Sequence, residues 1–328
     1  MPAAPLLIAF LAHLAPGSGN APAAGAPAGE SSIPSAWRSV PPPLLPESVS
    51  SPSDLCVDPL GRLLVLDGSS GRIWVLSSDR PAVPFGASDQ GSGRFEIPTR
   101  VFSRWGLHVY TLDPQSRRVS VFDLEGRYES TFDLEESLLA GGGPADVELA
   151  DFVVDKDGSL IVLDRLGGRL LLFDNSGGFR GLLGEDLTGS ERLVAPSDLE
   201  VDETGNLYIA DPPSGKLIRI GRQGSLGWVF DLRGSGGGPG RPVALAHAAG
   251  VLYVADAGKD RILAVSPSGG SPAEIVAGAG AGAGSAASAL DVSASARLAM
   301  SPEGALLLLH PAERRLRAYR LQDASAGR

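Results

Sequence analysis

One pattern recurs six times along this chain, and an internal repeat constrains a fold more tightly than any single motif. It begins at Ser53 as SDLCVD-PLGR-LLVLD-GSSG-RIWVLS. It returns as TRVFSR-WGL-HVYTLD-PQSR-RVSVFD, ADFVVD-KDGS-LIVLD-RLGG-RLLLFD, SDLEVD-ETGN-LYIAD-PPSG-KLIRIG, VALAHA-AGV-LYVAD-AGKD-RILAVS and ARLAMS-PEGA-LLLLH-PAER-RLRAYR. Five copies close their second segment with an aspartate: Asp67, Asp113, Asp164, Asp211 and Asp256. The sixth has His310 there, and successive copies lie 45 to 54 residues apart. Each copy holds three apolar segments of four to six residues, separated by Gly, Asp, Asn or Pro, which reads as strands and turns. A weaker fourth segment follows in most copies, as in PAVPFG, YESTFDL, FRGLLGE and GWVFDL. Asp-x-x-Gly runs at Asp58 to Gly61, Asp155 to Gly158 and Asp202 to Gly205 supply the turn between the first two strands. Four antiparallel strands per repeat make a propeller blade. Many segments are apolar at nearly every position, as a blade buried on both faces by its neighbours requires.

The spacing predicts an all-β chain: a six-bladed β-propeller of four-stranded antiparallel blades over residues 35–321. The last copy stops near Tyr319 without an outer strand. SAWRSV, Ser35 to Val40, has strand character and is expected to complete the last blade, closing the ring and leaving no unpaired sheet edge. GSGGGPG (Gly234 to Gly240) and AGAGAGAGSAASA (Ala277 to Ala289) read as surface insertions. Residues 1–23 read as a signal peptide: LLIAFLAHLA is too short to span a bilayer and small residues follow, with cleavage expected between 21 and 28. Residues 24–34 then form a disordered linker and 322–328 a tail, and the chain is expected to be exported, periplasmic or extracellular. No segment is long enough for a membrane span, and no Cys follows the apolar run to carry a lipid. The Ala, Gly, Pro and Arg bias suggests a bacterial source.

The pattern P-S-D-L-x-V-D-x-x-G-x-L-Y-I-A-D-x-x-x-G-K-L-I-R-I resembles the NHL repeat, best at Pro196 to Ile220 and Val251 to Val265. Blades one and three match nearly as well, whereas Arg104 replaces the first-turn Asp in blade two and His310 the closing Asp in blade six. The resemblance spans about 270 residues. It implies a six-bladed propeller related in shape to the gluconolactonase-like ones. It also implies a function drawn from a family of mostly binding scaffolds, some extracellular sensors and a few lyases, such as the amidating and streptogramin lyases. The amidating lyase's zinc histidines have no obvious counterparts here. Shared architecture alone carries no activity.

Composition narrows the partners. A net charge of −10 repels phosphate backbones, so nucleic-acid binding is not expected. A single cysteine excludes a disulfide framework or a Cys-built zinc site, and Cys56 reads as a small buried hydrophobe. The closing aspartates read either as a ring of cation ligands or as acceptors for loop N–H groups; recurrence in nearly every blade favours the second. The first strands align Asp54, Arg100, Asp151, Asp198, Ala244 and Arg297 at one position near a channel mouth. Arg100 and Arg297 are suited to gripping a carboxylate, and Asp54, Asp151 and Asp198 to holding an amine or a hard cation such as Ca²⁺. The alternative is an ion-pair network around a watery channel. His108, His247 and His310 sit at different heights in their strands, which disfavours a shared zinc, and no cofactor or catalytic residue is assigned. Trp74 and Trp105 read as packing, and Trp228 as a candidate exposed contact. The expected function is an exported, non-catalytic binding scaffold for a protein partner or small polar ligand. A metal-dependent lyase or lactone hydrolase, and a sensor module of an envelope complex, are the alternatives.

Overall fold

The computed structural model describes residues 36–77, 80–86, 97–184, 187–233, 239–270, 273–278 and 290–321. The signal peptide, linker and tail expected at the two ends therefore lie outside the described residues. So does most of the Gly234 to Gly240 and Ala277 to Ala289 stretches.

Strand β1 (Ala36–Val40) precedes the blades. Blade one holds β2 (Pro52–Val57), β3 (Leu63–Asp67), β4 (Arg72–Leu76) and β5 (Val83–Phe85). Blade two holds β6 (Arg100–Phe102), β7 (His108–Asp113), β8 (Arg118–Asp123) and β9 (Tyr128–Asp133), followed by the short helix α1 (Leu134–Ala140). Blade three holds β10 (Leu149–Val154), β11 (Leu160–Asp164), β12 (Arg169–Phe173) and β13 (Phe179–Leu183). Blade four holds β14 (Asp198–Val201), β15 (Leu207–Asp211), β16 (Lys216–Ile220) and β17 (Leu226–Asp231). Blade five holds β18 (Pro242–Ala248), β19 (Val251–Asp256), β20 (Arg261–Val265) and β21 (Ala273–Gly278). Blade six holds β22 (Arg297–Met300), β23 (Ala305–His310) and β24 (Arg315–Leu321). The first strands β2, β6, β10, β14, β18 and β22 each touch the next, and β22 returns to β2, so the six blades form a closed ring. No described helix is long and apolar enough to cross a membrane.

The core is six cores. Each apolar cluster lies between two neighbouring blades rather than at a common centre. In β11, Leu160 and Val162 face blade two, whereas Ile161 and Leu163 face blade four. Alternate side chains of a strand point to opposite faces, so burial on both faces demands an apolar residue at every position. All five residues of β3, β11 and β15 are buried accordingly. Each buried Leu, Ile or Val side chain contributes roughly 1.5–3 kcal/mol.

The terminal strand lies where the sequence requires it. β1 pairs antiparallel with β24, from Trp37 opposite Leu321 to Val40 opposite Ala318, and completes blade six. It also pairs in parallel with β21, Ala36 opposite Val276, which joins blades five and six into one eight-stranded sheet.

Each closing aspartate accepts from the loop ahead of its first strand, and Asp67, Asp113, Asp164 and Asp256 accept also from the turn after the second. Asp67 accepts from the N–H groups of Ser50, Ser51 and Ser69, Asp113 from Ile97 and Gln115, Asp164 from Glu148 and Gly167. Asp211 accepts from Val194 and Ala195, and Asp256 from Arg241 and Gly258. Arg169 and Arg261, which stand across from Asp164 and Asp256, add ion pairs of 2.8 and 3.0 Å. These carboxylates are structural acceptors. In blade six the fully buried His310 stands opposite Arg315, and neither ring nitrogen nor the Arg315 Nε has a hydrogen-bond partner.

Two outcomes follow from these contacts. Removing β1 leaves two sheet edges unpaired, so deletion of residues 36–40 should lower stability by several kcal/mol, read from urea unfolding. His310→Asp restores the acceptor that the other five blades possess and should stabilise the chain by about 1–3 kcal/mol. Burial, then the charges of Arg315 and Arg317, hold His310 below its ordinary 6.5. The unfolded chain thus binds the proton first, and the native chain loses stability as pH falls through about 6.5. Thermal melts of His310→Asp should show a shallower loss over that window.

Candidate functional site

Residues one place before the closing position pair with the ring residues in every blade. Asp54 is opposite Leu66, Arg100 opposite Leu112, Asp151 opposite Leu163, Asp198 opposite Ala210, Ala244 opposite Ala255 and Arg297 opposite Leu309. The six are therefore structurally equivalent and form one tier around the channel. In β2, β10 and β18 the register shifts just ahead of that residue. Such a bulge re-aims the side chain that follows it.

The tier is a set of clasps between blades. Val101 N–H donates to Asp54 Oδ2 (2.9 Å), Leu199 N–H to Asp151 Oδ2 (2.8 Å) and Leu245 N–H to Asp198 Oδ2 (2.7 Å). In each case the carboxylate of one blade takes the N–H one residue past the ring position of the next. The inner edge of a first strand has no sheet partner, and the neighbouring carboxylate satisfies it. The guanidinium groups neutralise the carboxylates. Arg100 Nε lies 3.2 Å from Asp151 Oδ1, and Arg297 Nε lies 3.6 Å from Asp54 Oδ1. Arg100 also donates to the carbonyls of Thr99 and Ser197, both at 3.1 Å, whereas Arg297 donates to Ala296 O at 2.9 Å.

Burial shifts these charges. It pushes Asp54 up to about 6 despite the nearby Arg100 and Arg297. It raises Asp198 well above the usual carboxylate range, reinforced by Asp151. It lowers Arg297, with Arg100 adding like-charge repulsion.

A cavity of about 540 Å³ opens below the tier, toward the face that carries the turns between first and second strands. All five charged tier residues line it. At its mouth stands a second polar group that the sequence analysis does not assemble: Arg104, Glu200, Glu203 and His247. Arg104 Nη1 donates to Glu200 Oε1 (2.6 Å), and its Nη2 reaches Glu203 Oε1 (3.1 Å) and the His247 carbonyl (3.0 Å). His247 Nδ1 lies 3.3 Å from Glu203 Oε2, and its ring stacks on Tyr208 at 6.0 Å between centroids. Arg104 and Lys156 both lie over the Trp105 ring, at 4.9 and 4.8 Å. Burial raises Glu200 and lowers His247. The signal for this group is the break in the repeat: Arg104 stands where blades one, three and four carry Asp58, Asp155 and Asp202.

The other candidates separate. His108 pairs with Glu129 on the outer part of blade two (3.0 Å), and His310 is sealed in blade six, so the three histidines do not meet. Cys56 is only half-buried and stands in the cavity wall. Trp228 donates to Pro267 O (3.1 Å) and packs against Tyr208 and Phe230, which makes it a packing residue. No cluster of three or more metal-ligating side chains occurs among the described residues.

Asp151 carries the densest set of clasps, since Phe152 N–H also donates to it at 2.8 Å. Asp151→Ala strands Arg100 and two backbone donors, and should cost about 3–5 kcal/mol in urea unfolding. A loss below about 1 kcal/mol would show that the tier does not hold the blades together.

Comparison with known proteins agrees with this architecture. The NHL repeat family model matches residues 50–76, blade one. No curated protein sequence matches the chain. A streptogramin B lyase structure is similar with a TM-score of 0.58 and 12% identity, covering 87% of this chain and 97% of that one. Selenomethionine-substituted virginiamycin B lyase from Staphylococcus aureus gives 0.54 and 12%, covering 82% and 80%. A catalytically inactive variant of that lyase with quinupristin gives 0.53 and 13%, covering 88% and 90%. At such identities the likeness is one of fold. With six four-stranded blades in a closed ring, the chain is a six-bladed β-propeller whose first blade matches the NHL repeat.

Proposed function

We propose that this propeller is a non-catalytic binding platform whose recognition site is the cavity on the first-turn face. The observation that carries the reading is a concave polar cavity of about 540 Å³, in the size range of small-ligand sites, whose walls come from all six blades at once. Its charged groups are held by inter-blade hydrogen bonds before anything binds, so little ordering entropy opposes a ligand. The carboxylates are committed to backbone N–H groups and guanidiniums, which is the arrangement of a rigid scaffold rather than of a base awaiting a proton. For the same reason the tier is poorly suited to Ca²⁺: two guanidiniums already supply positive charge among its carboxylates, and each carboxylate gives one oxygen to a backbone donor. Export to the periplasm or outside the cell fits the apolar run at residues 6–15 followed by small residues. The lyase alternative draws on a shared fold only, and the sensor alternative on family resemblance.

A fragment screen by crystal soaking tests the platform, alongside incubation of the purified chain with quinupristin or a simple lactone in the presence of Mg²⁺ or Ca²⁺. Fragments should bind in the cavity, lose occupancy in Arg104→Ala, and no substrate should turn over. Turnover, or fragments bound only elsewhere, would overturn the reading.

A further inference from the structure

Blades five and six are bonded into one sheet through β21 and β1, whereas blade one is a sheet of its own. No strand pairing joins blade six to blade one among the described residues. The outer part of blade one is also short. β5 has three residues and pairs with β4 only as far as Val75, so β4 runs past it at Leu76. Phe173 and Ile220 hold the matching place in blades three and four, opposite the first residue of the second strand, and there the outer strand does pair, through Phe179 and Leu226.

A cavity of about 710 Å³ lies in the cleft between blades six and one. It is distinct from the cavity at the channel mouth. Gly61 lines the cleft and Pro302 the channel cavity, and a Cβ on Gly61 would stand 2.8 Å from Pro302 Cγ, so this contact between two first turns forms part of the partition. The walls are apolar: Leu63 and Leu76 from blade one, Leu307 and Ala318 from blade six. Arg320 stands two residues beyond Ala318 on β24 and therefore projects from the same face, at the rim. Pro41, Pro42 and Pro43 line the outer side and, as prolines, present no N–H.

Two observations point to a ligand. Leu44 and Leu60 line the cavity and are nonetheless 89% and 63% exposed. Apolar side chains left in water beside an apolar cavity gain when something covers them. The second observation is charge. The chain has a net charge of −10, and the channel cavity holds six carboxylates to three guanidiniums. The cleft reverses the balance, with Arg62, Arg80 and Arg320 against Glu303. Asp58 answers Arg62 at 2.6 Å, which leaves two guanidiniums to one carboxylate. Register sets a further basic residue, Arg38, across from Arg320.

We infer that the cleft between blades six and one is a second ligand site, for a small amphipathic carboxylate. Its apolar chain lies along Leu63, Leu76 and Leu307 and covers Leu44 and Leu60, and its carboxylate meets Arg80 and Arg320. A guanidinium takes a carboxylate through two parallel N–H···O bonds, and each methylene removed from water adds to affinity. A peptide matches less well, because three successive prolines offer its backbone no donor. The site goes beyond the platform reading and does not depend on it.

Isothermal titration of the full chain with octanoate tests this, beside 1-octanol as the neutral counterpart, octylammonium as the cation and acetate as the head group alone. Octanoate should bind, 1-octanol and octylammonium at least about tenfold more weakly, and acetate not at all. Arg80 and Arg320 are exposed, so Arg80→Glu and Arg320→Glu spare the core and should each weaken octanoate binding roughly tenfold or more. Arg127→Glu, an equal change of charge on blade two, should leave it unchanged. Octanoate soaked into crystals should lie between blades six and one. Equal binding of 1-octanol or octylammonium, binding indifferent to both cleft variants, an equal loss in Arg127→Glu, density in the channel cavity instead, or no binding of octanoate would each overturn the inference. The platform is judged separately, from fragment occupancy in the channel cavity and from turnover.

Discussion

No blade of this protein can bury its own faces, and everything else follows from that. A four-stranded sheet with apolar side chains on both sides is insoluble alone, and each face finds cover only on the next blade. The six apolar clusters between neighbouring blades are the result. A row of such units has two uncovered ends, and bending the row into a ring removes both. β1 completes that closure by supplying the fourth strand of blade six and bonding to blade five as well.

Closure creates the channel, and the channel creates a polar problem. First strands present an edge that no sheet partner satisfies. The chain answers with Asp54, Asp151 and Asp198, each reaching to the backbone of the next blade, and with arginines that neutralise two of them. The tier thus holds blades in register by hydrogen bonds where apolar contact thins out. The same residues form the ceiling of the cavity, so the groups that stabilise the ring also shape any ligand site. Blade five departs from the scheme with Ala244, and blade two with Arg104 at the turn. Arg104 borders the cavity, whereas Ala244 is buried in the apolar cluster between blades five and six.

Much of this was legible in the residues. The equivalence of Asp54, Arg100, Asp151, Asp198, Ala244 and Arg297 needed only counting within each copy, because pairing register is preserved from blade to blade. The structural role of the closing aspartates was visible, since a residue that recurs in five blades serves the blade. The histidines could be separated by their positions along the strands. The mouth cluster could not be assembled in the same way. Arg104 meets Glu200 and His247, residues 96 and 143 positions away, across the channel rather than along any strand. Repeat counting relates equivalent positions and is silent about unlike positions that face one another.

The amino-acid order by itself determined the number of blades, the strands in each, the tier of charged positions and the need for a terminal strand, because these depend on local periodicity and on burying both faces of a sheet. Only the tertiary structure decided which carboxylate meets which arginine, that Asp198 is left without one, and that the cavity opens on the first-turn face. Those outcomes depend on distances across a closed ring, and ring closure is a property of six blades together.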